Sequence, residues 1–180
     1  MVKKVYRSKN YIFSQKEQLT LRAVLSKKQK MYQFKRTQIV KTDIATCWDF
    51  FSSPKNLKKI TPAYMGFDVL LEIPDKMYEG LMIEYTVRPL LNIPMKWITE
   101  ITHVKENEFF VDEQRKGPYR IWHHEHHFKV VDGGVEMTDI VSYEIPFGIF
   151  GKIAHPIVVK KKLEEIFAYR LKAVEEIFNN

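Results

Sequence analysis

The chain has 180 residues, 45% of them apolar and 13% aromatic, which suits one domain with a substantial core. Its formal charge of +7 is unevenly placed: residues 1–30 hold nine Lys/Arg against Glu17 alone, leaving 20 basic and 21 acidic side chains in 31–180. A domain so balanced offers no phosphate-tracking face, and no nucleic-acid partner is expected.

Residues 1–30 are read as a basic tail dispensable for the fold, with a short apolar stretch from Leu19 to Leu25. Cys47 is the only cysteine, which excludes an intramolecular disulfide and a cysteine-rich zinc site. No apolar run reaches the roughly 18–20 residues that span a bilayer, and the basic N-terminus lacks the apolar core of a secretory signal. The expected location is cytoplasmic.

From Met31 the elements follow in order. Tyr32 to Val40 alternates as a strand, with Tyr32, Phe34, Ile39 and Val40 as its apolar positions. Thr42 or Asp43 caps a helix carrying Ile44, Cys47, Trp48, Phe50 and Phe51. A second short helix from Pro54 to Ile60 has proline in its first turn. Six strand-like runs come next: 67–73, 81–88, 95–104, 109–115, 119–131 and 135–145, separated by Pro74-Asp75, Pro89, Glu106-Asn107, Gly117-Pro118 and Asp132-Gly133-Gly134. The chain closes with a helix from about Pro156 to Phe178. Its core-facing stripe is Leu163, Ile166, Phe167, Arg170, Val174, Ile177 and Phe178, with Lys161, Glu164, Glu165, Lys172 and Glu175 turned away.

Strands joined by short turns are antiparallel neighbours. One sheet and one long amphipathic helix bury their apolar faces most economically when the sheet curls around the helix. The expected class is therefore α+β: a curved antiparallel sheet of about seven strands around a long C-terminal helix, with two short helices after strand one.

The stretch Phe110-Val-Asp-Glu-Gln-Arg-Lys-Gly-Pro-Tyr119, then Trp122-x-His124-x-His126-x-Phe128, Met137-x-Asp139-x-Val141-x-Tyr143, Pro146-x-Gly148 and Phe167-x-x-Arg170, resembles the bacterial ligand-binding SRPBCC (START-like) proteins. That superfamily also contains lipid-transfer domains, plant pollen-allergen-type carriers and polyketide cyclase/dehydrase-like enzymes. The resemblance spans Met31 to Phe178. It implies a helix-grip fold enclosing a pocket, and it implies no particular reaction. The motif from Asp112 and Gln114 to Tyr119 would belong to a wall and corner of that pocket.

Alternation along 119–131 places Trp122, His124, His126 and Phe128 on one face, with His123, Glu125, His127 and Lys129 on the other. The aromatic-flanked face is the inward one, so His123 and His127 should meet water. If Asp132-Gly133 is a two-residue loop, residues whose numbers sum to 265 are opposed. His126 then faces Asp139, Trp122 faces Tyr143 and Phe128 faces Met137.

Several readings of the His/Asp group stay open. It can brace the sheet as a polar network. It can anchor a ligand hydroxyl, carbonyl or carboxylate at one end of an apolar pocket. His-x-His with Asp139 or Asp112 can ligate a metal, although no other metal-ligand spacing occurs and neither metal nor cofactor is expected. Finally, His126 and Asp139 would be the acid–base pair of a cyclase or dehydratase.

Arg170 either snorkels to the rim or pairs with Asp112 or Asp139. Cys47 reads as a small buried hydrophobe. Lys160-Lys161-Lys162 reads as a solvated helix face that could also touch an anionic membrane, and residues 146–151 as a gate or connector. The expected ligand is small and apolar or amphipathic (lipid, polyketide or isoprenoid-like), held by Asp112, Gln114, Trp122, His124, His126, Phe128, Asp139, Tyr143, Phe167 and Arg170.

Overall fold

The structure, a computed structural model, describes residues 31–69, 74–88, 93–146 and 158–179. The expected tail at 1–30, the end of the run at 67–73, the turn at Pro89, most of the 146–151 connector and the start of the last helix at Pro156 lie outside them.

Seven strands form one antiparallel sheet: β1 (Tyr32–Val40), β2 (Asp68–Val69), β3 (Met82–Val87), β4 (Met95–Lys105), β5 (Phe109–Lys116), β6 (Ile121–Val131) and β7 (Gly134–Glu144). The spatial order is β1-β7-β6-β5-β4-β3-β2. Helix α1 (Ile44–Phe51) and 3₁₀ turns at Pro54–Ile60 and Ala63–Met65 connect β1 to β2, and α2 (Lys160–Phe178) ends the chain.

This order places β1 and β2 on opposite edges, so the connection between them must cross the sheet. Local sequence dictates where it bends. Asp43 caps α1, accepting from Thr46 N–H at 2.9 Å and from the Thr46 hydroxyl at 2.7 Å. Pro54 then opens the expected second short helix, which is 3₁₀ over Pro54–Ile60. The connection buries Cys47, Trp48, Phe51 and Ile60 against the sheet. Full burial pushes the Cys47 thiol up to about 12, so it stays protonated at neutral pH, as a small hydrophobe would suit.

Two irregularities in β4–β5 interrupt the ladder. Thr102 is inserted between the Ile101–Asp112 and His103–Val111 pairs, and Arg115 between the Thr99–Gln114 and Ile98–Lys116 pairs. Such bulges bend and twist the bulged strand. The one at Thr102 also reverses the alternation: Trp97, Thr99 and Ile101 are buried, then Val104 rather than His103 packs on the core.

The β6–β7 hairpin has the expected register throughout, from Ile121 opposite Glu144 to Val131 opposite Gly134. One expected core position fails: Ile177, near the end of α2, is 39% exposed. On β1 the adjacent pair divides, with Val40 buried and Ile39 46% exposed. On α2 the buried positions are Leu163, Phe167, Ala173 and Val174, with Arg170 only partly covered. The stripe near the C-terminus thus runs through Ala173 and Val174, where a small side chain lets helix and sheet approach.

Gly133 and Gly134 both have positive φ, +86° and +145°. Only at Gly134 would a Cβ collide with backbone, the Val40 carbonyl at the end of β1; at Gly133 the space is open. Gly134→Ala should therefore cost ~1–3 kcal/mol and lower the melting temperature more than Gly133→Ala. Equal shifts in the two melts would show that the β1–β7 junction yields freely.

Candidate functional site

Three groups of buried side chains surround one cavity of ≈ 170 Å³. The connection after β1 supplies Phe51, Leu57 and Ile60; strands β3 and β4 supply Tyr85, Trp97 and Ile101; α2 supplies Leu163, Ile166 and Phe167. A dry cavity of about 150 Å³ is large enough for benzene, so this one has room for a ligand of one or two rings. That is less than a phospholipid would need.

The walls are aromatic and mutually braced. Trp97 meets Trp122 edge-to-face at 5.3 Å and lies near-parallel to Tyr85 at 6.1 Å, and Tyr119 contacts both tryptophans. The Tyr85 hydroxyl pairs with Thr99 Oγ1 at 2.9 Å inside the wall. Burial pushes the Tyr85 phenol upward, so it is neutral. Two donors on this lining have no acceptor among the described residues: Trp97 Nε1 and Arg170 Nε. Buried donors without partners are costly.

The polar end of the cavity is built across three strands. Register sets Asp112 on β5 opposite His124 on β6, and His126 opposite Asp139 on β7. The hydrogen bonds run diagonally to that register. His124 Nε2 bonds Asp139 Oδ1 at 2.9 Å, and His126 Nε2 bonds Asp112 Oδ2 at 2.8 Å.

The direct pairs are also close. His124 Nδ1 is 3.3 Å from Asp112 Oδ2, and His126 Nδ1 is 2.9 Å from Asp139 Oδ1 but is not aligned to hydrogen-bond with it. Each imidazole is thus held between two carboxylates. Phe110 stacks on His126 at 4.0 Å, and the two imidazoles are 3.8 Å apart. Arg170 reaches in from α2 with Nη1 3.5 Å from Asp139 Oδ1 and its guanidinium over the Phe167 ring.

Electrostatics follow from this arrangement. Burial alone would raise both carboxyl groups. It is outweighed at Asp112 by His124 and His126, and at Asp139 by the two histidines together with Arg170, so both sit well below the usual carboxylate range. Burial would likewise lower His124, but Asp112 and Asp139 reverse it and favour the imidazolium. With both carboxylates ionised and Arg170 charged, one imidazolium makes the cluster neutral.

Of the residues singled out in the sequence, Asp112, Trp122, His124, His126, Phe167 and Arg170 line the cavity. Four do not. Asp139 lies behind the histidines with 4% exposure. Phe128 packs with Trp48, Phe51 and Phe110 in the core beneath. Tyr143 stacks on Tyr32 and touches Tyr119. Gln114 clamps the turn after β5, donating to Tyr119 O at 2.6 Å and accepting from Tyr119 N–H at 3.2 Å. That clamp is what sets Tyr119 on the cavity wall.

The expected His126–Asp139 couple is one edge of a four-residue cluster rather than an isolated pair. Strand alternation could have flagged Trp97 and Thr99. Tyr85 joins the lining only because β3 pairs with β4, placing Tyr85 opposite Trp97.

On the outer face, His123 bonds Glu113 at 2.9 Å and His127 bonds Glu125 at 2.9 Å. These histidines face outward as expected but hydrogen-bond surface carboxylates rather than meeting water alone. Lys160 and Lys162 pair with Glu164 and Glu165, and Lys162 lies over Tyr64. The lysine run is therefore partly neutralised.

No family model matches the chain, and no curated protein matches it. Solved structures do. Ginseng major latex-like protein 151 from Panax ginseng superposes with a TM-score of 0.61 at 14% identity, covering 82% of this chain and 97% of that one. Protein Ms6760 from Mycobacterium smegmatis also gives 0.61 at 14% identity, covering 82% and 90%. TTHA0849 from Thermus thermophilus gives 0.57 at 18% identity, covering 82% and 95%. At these identities the likeness establishes a shared fold. No described helix is long and apolar enough to cross a membrane.

Asp139→Ala should cost ~3–5 kcal/mol, because it strips a carboxylate from two buried histidines and from Arg170. His127→Ala removes an exposed pair and should stay within ~1 kcal/mol of wild type. Chemical denaturation of both variants tests this, and a larger loss at His127 would invert the assignment of faces.

Proposed function

Taking the helix-grip fold of START-like (SRPBCC) proteins as the frame, we propose that the domain binds a small, mainly apolar ligand of one or two rings bearing an acceptor oxygen. The observation that carries this reading is a pair of buried donors on two residues of the cavity wall, Trp97 Nε1 and Arg170 Nε, which have no acceptor among the described residues. A hydroxyl, carbonyl or carboxylate oxygen on the ligand would satisfy one or both. The aromatic walls would take the ring.

Binding accounts for the site better than proton transfer does. A general base needs a nitrogen free to face the substrate. All four ring nitrogens of His124 and His126 instead lie opposite Asp112 or Asp139. The cavity volume also favours a compact isoprenoid or aromatic ketide over a long-chain lipid. Contact with a membrane surface has less support, since the acidic partners of Lys160 and Lys162 dilute the positive charge there.

The test compares 1-indanone with indane, two ligands of nearly equal size that differ by one carbonyl oxygen. Calorimetric titration should show the ketone binding about tenfold tighter, a difference of ~1.4 kcal/mol. Trp97→Phe and Arg170→Met should each reduce that preference while leaving indane affinity within about threefold. Equal affinities in wild type would remove the polar anchor from the proposal. Binding of neither compound would count against the cavity as a ligand site of this size.

A further inference from the structure

The His/Asp cluster contains a conflict that hydrogen bonding alone does not resolve. A neutral imidazole has one N–H and one lone pair. Both nitrogens of His124 face carboxylate oxygens, at 3.3 Å (Nδ1 to Asp112) and 2.9 Å (Nε2 to Asp139). The same holds for His126, at 2.8 Å (Nε2 to Asp112) and 2.9 Å (Nδ1 to Asp139). Without a second proton, each ring therefore sets a lone pair against an anionic oxygen, and His126 Nδ1 stands 2.9 Å from Asp139 without a hydrogen bond.

A cation on the Asp112 side would remove both conflicts together. With protons on His124 Nε2 and His126 Nδ1, His124 donates to Asp139 and the His126 N–H faces the same oxygen at 2.9 Å, while His124 Nδ1 and His126 Nε2 turn lone pairs toward Asp112 Oδ2. Donor atoms of Asp112, His124 and His126 lie within 4.8 Å of one another. Adjacent ligands about 2.1 Å from one ion stand roughly 3.0–3.4 Å apart. The two measured nitrogen–oxygen spacings, 3.3 and 2.8 Å, are close to that.

The division between the two carboxylates has the same logic. Asp112, His124 and His126 line the cavity, whereas Asp139 does not. Asp139 is placed as the outer carboxylate that orients metal-bound histidines through their second nitrogen, and Arg170 balances its charge. We propose that His124 Nδ1, His126 Nε2 and Asp112 form a binding site for a divalent first-row transition metal ion, with Asp139 as the shared outer-shell partner and the open coordination positions facing the cavity. Two carboxylates, Arg170 and a divalent ion leave one unit of positive charge. An anionic or carbonyl oxygen entering from the cavity would complete the coordination. The donor set of two imidazoles and one carboxylate suits zinc, cobalt or iron(II) and does not suit calcium or magnesium.

The experiment uses the full chain, stripped with chelator and titrated with Zn²⁺ and Co²⁺ with no organic ligand present, so its failure leaves the binding proposal above standing. One ion per chain should bind with micromolar affinity or better, and Co²⁺ should develop a visible absorption band. Asp112→Asn should weaken binding about 100-fold, and Asp139→Asn, which touches no metal, by about 10–100-fold. The double variant His123→Ala/His127→Ala, on the outer face, should bind as wild type does.

Long-range ¹H–¹⁵N spectra of the wild-type zinc complex provide a readout that survives if a variant fails to fold: the bound nitrogens should be Nδ1 of His124 and Nε2 of His126. The proposal is overturned by absence of binding at tens of micromolar metal. It is equally overturned by binding lost in the outer-face double variant, or by coordination through the opposite ring nitrogens.

Discussion

The two-residue turn at Asp132-Gly133 decides what the longest hairpin turns inward. Every pair from Ile121–Glu144 to Val131–Gly134 follows from it, because side-chain period and register are locked together in a two-stranded ladder. A slip of β6 by one residue would send His124 and His126 to solvent and bring His123, Glu125 and His127 into the core. Gly134 reinforces the choice from the other side, since its bare backbone lets the end of β1 close over the hairpin. The sheet is then anchored at β7, which pairs with both the first strand and β6.

On that register rests a division of labour along the cavity. The β3–β4 end is lined by ring faces that brace one another and by the Trp97 indole N–H, which has no described acceptor. The β5–β6–β7 end concentrates two carboxylates, two imidazoles and a guanidinium within contact distance. Buried ionised groups are tolerated only when they neutralise one another, and here the neutralising charges come from three strands and one helix. The cluster therefore joins the sheet to α2 electrostatically, while Leu163 and Phe167 join them by packing.

The bulges in β4–β5 have a comparable effect on shape. By bending these strands they make the sheet concave, and by reversing the alternation at Thr102 they keep a hydrophobic side chain on the core beyond the bend. Gln114 extends the same logic into the next turn. A residue that reads as a pocket-facing amide instead spends both its polar atoms on the Tyr119 backbone, and Tyr119 occupies the wall.

Local rules were enough to read the strand order along the chain, to narrow the first helix cap to Thr42 or Asp43, and to read the β6–β7 register and the inward face of β6. Each depends on neighbours within a turn or on strand periodicity, and both are written in consecutive residues. The same rules misplaced Ile177, because at the end of a helix the supporting neighbours are absent and periodicity no longer dictates burial. Sequence reading opposed His126 to Asp139 and left Asp112 and Asp139 as alternatives for the His-x-His pair and for Arg170. Register does oppose those two, but the choice of hydrogen-bond partner is made by side-chain reach across three strands. Asp112 enters only because β5 lies on the far side of β6, and Arg170 only because α2 crosses above. Those adjacencies join residues 12 to 31 positions apart, brought together by sheet pairing and helix packing, and they exist only once the tertiary structure has formed.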